Sequence, residues 1–273
     1  ENWDAFTDIG ADKNGNIYVS GNSYSAAITF DGIPQQMAEV KTGLIAKYTS
    51  SGMPIWMRTI VTSSWIAMNN IEIAANGTTY FAFNTVGSYS IFNGPDDYYT
   101  VIKDAEEENM VIYSLTKNGS TNQFTEFPVT DMGTIAADIS YDGEVTLAIN
   151  FYGSIEINGE TYISEGGNNV ILVRISFTTF EIKWVNHFSS THSIFAEAIK
   201  SDNGNILVTG HYFEYAEAAG IIIENPFIDF ESFLATVSIP SGIVLGFVDF
   251  DNVEAEDYIT DIDVDKNGNI YML

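Results

Sequence analysis

The sequence predicts an all-β protein, a β-propeller built from four-stranded blades, and three observations lead to that fold class. An Asn-Gly or Asp-Gly turn followed by a β-rich segment recurs at five nearly evenly spaced places along the 273 residues. Apolar residues alternate with polar ones or form short β-branched blocks, and no segment has the spacing of an amphipathic helix. A unit of about 63 residues with four antiparallel strands fits a propeller blade, whereas a β-helix needs much shorter repeats and immunoglobulin domains need about 100 residues.

The spacing of the turns defines the repeats. The turn glycines, 61 to 66 residues apart, are Gly15, Gly77, Gly143, Gly204 and Gly268. We divide residues 1–273, one propeller portion, into the repeats 1–64, 65–128, 129–190 and 191–252 and the partial repeat 253–273. Because the last segment repeats residues 1–20 instead of completing them, the sequence predicts an incomplete ring and a piece of a longer chain.

Each repeat has the same order of strands and turns. An alternating first strand leads into the Asn-Gly or Asp-Gly turn, whose residues tolerate positive φ, and a β-rich second strand follows. A short excursion then passes through a turn such as Phe30-Asp31-Gly32. A second hairpin closes the repeat, as where 44–48 turns at Ser51-Gly52 into 55–60. Its last strand carries one large residue per repeat, which we interpret as packing between neighbouring repeats: Trp56, Phe124, Trp184 and Leu245.

The composition excludes several kinds of protein. With 10 Lys and Arg against 37 Asp and Glu, the formal charge is −27, so the chain repels nucleic acid, whose affinity for proteins comes mainly from basic side chains. Aromatic residues make up 14% and apolar residues 45%, which excludes intrinsic disorder. No apolar run reaches the roughly 18 residues of a membrane-spanning helix, and there is no Cys for disulfides or thiolate chemistry. We therefore predict neither a nucleic-acid partner nor membrane insertion.

The first repeat resembles a known family of repeats. Residues 12–21 read Asp-Lys-Asn-Gly-Asn-Ile-Tyr-Val-Ser-Gly, residues 28–32 read Ile-Thr-Phe-Asp-Gly, and residues 43–60 form the hairpin that contains Trp56. In this order they resemble the bacterial SBBP-type β-propeller repeat. The resemblance covers the whole chain and is clearest in 1–64, 191–252 and 253–273. The second repeat departs from the family pattern because Ala74 and Ala75 replace the Asp-Lys pair of the turn. The third repeat departs from it because its turn at 142–143 is shorter.

The resemblance implies a secreted or surface-attached bacterial protein, typical of Bacteroidota, many of whose members use type IX secretion. Our leading hypothesis is a non-enzymatic, extracellular binding or adhesion module. Its partner would be a protein or glycan at a cell surface. During secretion the chain would also contact the outer-membrane secretion machinery. The alternatives are a hydrolase or lyase that acts on polysaccharide, and a passive spacer in a large surface protein. No Ser-His-Asp arrangement or phosphate-binding Gly loop is visible, so the sequence predicts no catalytic residue.

Two patterns of acidic residues suggest sites. Alignment of the turns places one polar residue at an equivalent point of each first strand: Asp8, Asn70, Asp138, Glu197 and Asp261. First strands line the axis of a propeller, so this channel ring could bind a cation or a cationic ligand. Alternatively, each side chain accepts hydrogen bonds from neighbouring backbone.

The second pattern resembles a calcium loop. Asp263, Asp265 and Asn267 occupy positions 1, 3 and 5 of the D-x-[DN]-x-[DN]-G motif, and Gly268 occupies position 6. The same residues also suit a hairpin turn supported by Asp and Asn side chains. Calcium is therefore the one cofactor that the sequence suggests, and otherwise it predicts none.

Overall fold

The computed structural model describes residues 4–25, 27–35, 41–92, 98–130, 137–141, 144–176, 179, 181–226, 229–250 and 258–273, and for 137–141 the backbone alone. These residues form strands, turns and irregular segments and include no helix. The prediction of an all-β protein is therefore confirmed. It also follows that the described part of the chain contains no helix that could cross a membrane. The chain folds as two compact units, Glu1–Pro128 and Val129–Leu273.

Unit 1 contains two antiparallel meanders of four strands. The first has the order β1-β2-β5-β6 and the second the order β7-β8-β11-β12. The strands are β1 Asp4–Ala11, β2 Ile17–Ser23, β3 Thr29–Phe30, β4 Ile33–Pro34, β5 Thr42–Tyr48, β6 Pro54–Thr62, β7 Trp65–Ile73, β8 Thr79–Val86, β9 Tyr89–Phe92, β10 Tyr98–Val101, β11 Glu108–Leu115 and β12 Thr121–Thr130.

Unit 2 contains two further meanders, β13-β14-β17-β18 and β19-β20-β23-β24, and the separate pair β25-β26. Its strands are β13 Ala137–Tyr141, β14 Val145–Phe151, β15 Ser154–Ile157, β16 Glu160–Ile163, β17 Asn169–Ser176, β18 Glu181–Ser189, β19 Ser193–Asp202, β20 Asn205–Phe213, β21 Tyr215–Ala218, β22 Ile221–Glu224, β23 Phe230–Ser238, β24 Val244–Asp249, β25 Ile262–Val264 and β26 Ile270–Met272. Closure into a ring and the number of blades stay predictions.

In three repeats, the segment between the second and third strands of the meander forms a hairpin. This hairpin pairs with the last strand of the preceding meander, which the sequence did not predict. In unit 1, β9 pairs with β6, and in unit 2, β21 pairs with β18. The hairpin β15–β16 likewise pairs with Val129 and Thr130 at the end of β12. Two of these hairpins turn through consecutive residues with positive φ, a geometry that matches the right-handed twist of hairpin strands. These residues are Asn158-Gly159 and Ala219-Gly220.

The core of each unit joins two successive meanders. In unit 1, Tyr18, Ile45 and Ile60 belong to the same buried cluster as Phe81 and Tyr113. In unit 2, buried side chains of β14, β17 and β18 cluster in the same way with those of β19, β20 and β23. Burying one large apolar side chain contributes roughly 1.5–3 kcal/mol, so contacts between successive sheets contribute much of the stability.

The sequence predicted that one large residue in the last strand of each repeat packs against the next repeat. The structure confirms this at two of the four positions, Trp56 and Trp184. Trp56 Nε1 donates to the carbonyl of Lys117, 3.3 Å away, and Trp184 Nε1 donates to that of Ile239 at 2.8 Å. Each ring covers a glycine with positive φ in the turn of the following repeat, Gly119 or Gly242. Of the other two, Phe124 stacks on Tyr113 at 5.9 Å between ring centroids, and Leu245 is exposed.

Candidate functional site

In unit 1 the structure brings two members of the predicted channel ring onto neighbouring strands. β1 lies beside β7, and both strands have a bulge, next to Asp8 in β1 and at Asn70 in β7. Asp8 Oδ1 accepts a hydrogen bond from the backbone N–H of Ile9 at 2.7 Å, and Oδ2 accepts one from that of Ile71 at 2.8 Å. The Asp8 carboxylate therefore connects the first strands of two repeats. For Asp8 this agrees with the alternative in which each side chain accepts hydrogen bonds from neighbouring backbone.

In unit 2 the ring members have different surroundings. Glu197 is the bulged residue of β19, and burial raises the pKa of its carboxyl group. Asp261 Oδ1 accepts from the N–H of Ile262 at 2.8 Å, which repeats the bond of Asp8 to Ile9. The backbone of Asp138 lies in β13, opposite Ala148. A ring of five side chains around one axis stays a prediction.

The residues of the predicted calcium loop are bonded within the protein. Asp263 Oδ1 lies 3.0 Å from Lys200 Nζ. Asp265 accepts hydrogen bonds from the side chain of Asn269, from the backbone of Asn269 and Asn267 and from the hydroxyl of Tyr271, and these bonds lower its pKa to about 2. A cation would have to displace these donors. Among the described residues no group of three His, Asp or Glu side chains could hold a metal ion, and the calcium site stays a prediction.

Sequence reasoning missed a second connection between repeats. The position seven residues after the turn glycine holds Asn22, Asn84, Asn150 and His211. Asn22 Oδ1 accepts from the N–H of Met68 at 3.0 Å in the following repeat. Asn150 accepts from the N–H of Ala196 at 2.8 Å and donates to its carbonyl at 2.9 Å. The recurrence of Asn at a fixed distance from the glycine was the signal that could have found this connection.

His211 replaces asparagine in the fourth repeat and has aromatic surroundings. Its ring centroid lies 4.9 Å from that of Phe195, 5.1 Å from that of Phe230 and 4.9 Å from that of Tyr258. Burial lowers the pKa of this imidazole to about 4, although Glu197 Oε1 lies 3.3 Å from its Nδ1. The neutral form therefore predominates at neutral pH, and the site resembles a core position more than a proton-transfer centre.

Unit 1 has an open cleft where turns of two repeats meet. The cleft has a volume of about 430 Å³. The turn after β1, the turn after β7 and the turn after β11 form its walls, together with β5 and β6. Its lining residues are Asp12, Lys13, Asn14, Asn16, Lys47, Ile55, Ala75, Asn76, Gly77, Lys117 and Asn118.

Lys47 is the buried basic group of this cleft. Its side chain is only 8% exposed. Its ammonium lies 4.6 Å from the ring centroid of Tyr18, 3.3 Å from the carbonyl oxygen of Lys117 and 3.6 Å from Asp12 Oδ2. A cation over an aromatic face and beside a carboxylate is electrostatically stabilised. Lys47 therefore has a fixed position between the two repeats.

The carboxylate of Asp12 is held by its own turn. It accepts from the backbone N–H groups of Asn14 and Asn16, from the Asn16 amide and from the hydroxyl of Tyr18. Burial raises the pKa of Asp12, but these hydrogen bonds outweigh burial and the pKa is lowered. Asp12 therefore stays ionised at neutral pH as part of the turn.

Comparison with known proteins assigns this chain to no family. No protein family and no curated protein matches the sequence. A solved structure described as a streptogramin B lyase is similar over 100% of this chain and 94% of its own, at 12% identity and a TM-score of 0.38. A catalytically inactive virginiamycin B lyase from Staphylococcus aureus, solved with quinupristin, is similar over 88% and 97%, at 10% identity and a TM-score of 0.29. With TM-scores below 0.5, neither similarity carries an argument about this chain.

Proposed function

We propose that this chain is part of a β-propeller that serves as a non-enzymatic binding or adhesion module of a secreted or surface-attached bacterial protein. The observation that carries the proposal is the cleft around Lys47. It is formed by turns of two successive repeats, and its volume of about 430 Å³ lies in the range of small-ligand sites. Most of its lining side chains are polar, which suits a polar ligand. The extracellular location rests on the resemblance to SBBP-type repeats and on the charge of −27.

The bonding of the acidic groups favours binding over catalysis. Glycoside hydrolysis needs two carboxyl groups facing one substrate bond. The carboxylate of Asp8 instead accepts backbone hydrogen bonds from two strands, and those of Asp12 and Asp265 are held by their own turns. These groups hold the scaffold in place, and a rigid scaffold with an exposed polar cleft suits recognition.

A glycan-array screen of the purified chain, with and without calcium, tests the proposal. We expect retention of a restricted set of glycans, together with binding of the chain to bacterial or host cell surfaces in a parallel assay. Each retained glycan is then incubated with the chain and analysed for cleavage products by mass spectrometry. Turnover of any polysaccharide would establish the hydrolase or lyase alternative. Absence of binding to glycans and to cell surfaces would contradict the binding module and favour the passive spacer.

A further inference from the structure

The cleft around Lys47 is basic although the protein is strongly acidic. Basic residues number 10 among 273, but three of the eleven cleft residues are Lys13, Lys47 and Lys117. The single acidic residue that lines the cleft is Asp12, so the formal charge of the lining is +2. The field of the rest of the molecule repels anions, and a local excess of positive charge is what an anion needs in order to bind here.

We propose that this cleft binds the carboxylate of a uronic-acid residue in an anionic glycan, a ligand class that extends the proposed function and rests on it. Lys47 is the anchor. Its ammonium carries three N–H donors, and the oxygens of Lys117 and Asp12 account for two of them. A ligand carboxylate would add a charge-assisted contact to this ammonium, and because the Lys47 side chain is already held in place, binding orders little of it.

Lys13 and Lys117 supply further charge at the exposed side of the cleft. Both side chains are solvent-exposed, so each contributes a screened attraction that weakens with salt. The backbone of Lys117 also accepts hydrogen bonds from Lys47 and from Trp56. The position of the turn that contains Lys117 is therefore coupled to that of the Lys47 ammonium.

The remaining lining favours a sugar over a bare inorganic anion. Asn14, Asn76 and Asn118 bring carboxamides, which can donate to or accept from hydroxyl groups, and Ile55 brings an exposed apolar side chain. A uronate residue offers a carboxylate, several hydroxyls and an apolar ring face. These three features match the ammonium, the carboxamides and the isoleucine.

Titration calorimetry of the full 273-residue chain with a trimer of galacturonate tests this assignment. The controls are the neutral trimer of galactose and a short polyglutamate peptide. We expect binding of the uronate trimer that weakens as NaCl is raised, and little binding of either control. Lys117→Gln should weaken binding of the uronate trimer about two- to fivefold, while Lys266→Gln, at an exposed lysine outside the cleft, should leave it unchanged.

The outcomes separate this inference from the proposed function. Equal binding of neutral and uronate trimers, or uronate binding that Lys117→Gln does not change, would overturn the uronate assignment but leave the binding module in place. Stronger binding of polyglutamate than of the uronate trimer would assign the cleft to an acidic peptide and overturn the assignment to a uronate. No binding of the uronate trimer, with glycans retained on the array, would overturn this inference alone. Silence in every assay would overturn both proposals.

Discussion

At the scale of single residues, successive repeats are joined by side chains that bond to the backbone of the next repeat. Asp8, Asn22 and Trp56 do so in unit 1, and Asn150 and Trp184 in unit 2. The two residues of each bond are 46 to 63 positions apart in the sequence. Each bond gives a partner to a backbone group that packing against the next repeat removes from water. These contacts fix one sheet against the next.

The contact of Trp56 with Gly119 predicts a large effect of one methyl group. Gly119 has φ of 78°, and a Cβ there would lie 2.7 Å from the flexible end of Arg58, at Nη2, and 2.8 Å from Trp56 Cδ2 in the rigid indole ring. Gly52 has φ of 82° with nothing within 4 Å of a Cβ, so Gly52→Ala is the matched control. We expect Gly52→Ala to cost about 1–2 kcal/mol for the backbone conformation and Gly119→Ala to cost about 1–3 kcal/mol more because Trp56 must move. Urea unfolding measures both, and equal losses would show that the Trp56 ring moves freely.

His211 predicts a pH dependence of stability. Its pKa is about 4 in the folded protein against an ordinary value of 6.5, so the unfolded chain binds more protons between these values. The contribution of His211 to stability is therefore fully present above pH 6.5 and is lost as the pH is lowered towards 4, by up to about 3 kcal/mol. Glu197, whose pKa is raised, acts in the opposite sense.

Replacing His211 by asparagine isolates its contribution. His211→Asn restores the residue type of Asn22 and Asn150 and should flatten the fall in urea midpoint between pH 7 and pH 4.5. His192→Asn is the control for replacing a histidine by asparagine, because the side chain of His192 is 49% exposed. A slope that persists in His211→Asn would assign the pH dependence to other groups.

At the scale of elements, the order of strands could be predicted from the sequence, but the pairing of the excursion hairpins could not. Alternation and Asn-Gly turns report local geometry, which is why the four strands of each meander were found. The pairing of β21 with β18 joins different repeats, and nothing in a local pattern encodes it. The cleft around Lys47 was missed for the same reason, since its lysines are separated by up to about 100 residues.

The hairpin turns predict a stabilising substitution. Ala219 has φ of 51°, where Asn158 of the preceding repeat has φ of 54°. Asparagine adopts this left-handed conformation more readily than alanine. We expect Ala219→Asn to stabilise unit 2 by about 0.5–1 kcal/mol, and the reciprocal Asn158→Ala to destabilise it by a similar amount. Thermal unfolding by circular dichroism measures both, and shifts of the same sign would contradict the argument.

At the scale of the whole molecule, the excess of acidic groups dominates the electrostatics. The 37 Asp and Glu outnumber the 10 Lys and Arg, and lysines such as Lys103, Lys183 and Lys200 are already paired with carboxylates. Because acidic groups outnumber basic ones by more than three to one, repulsion between like charges outweighs attraction over the chain as a whole. Screening of this repulsion by salt should stabilise the folded chain, whereas in a protein with balanced charges salt mainly weakens ion pairs.

The response to divalent cations distinguishes general screening from the predicted calcium site. If the cations act only by screening the acidic charges, calcium and magnesium at equal ionic strength raise the melting temperature by the same amount. A site formed by several oxygen ligands instead favours calcium, which accepts irregular coordination by six to eight oxygens, over magnesium, which keeps its waters. Because the oxygens of Asp265 are already bonded to Asn267, Asn269 and Tyr271, we expect equal shifts. A larger shift with calcium that Asp138→Asn combined with Asp261→Asn abolishes would contradict that expectation and place the cation in the channel ring. A calcium shift that survives in this double variant would place it in the loop of Asp263 and Asp265 instead.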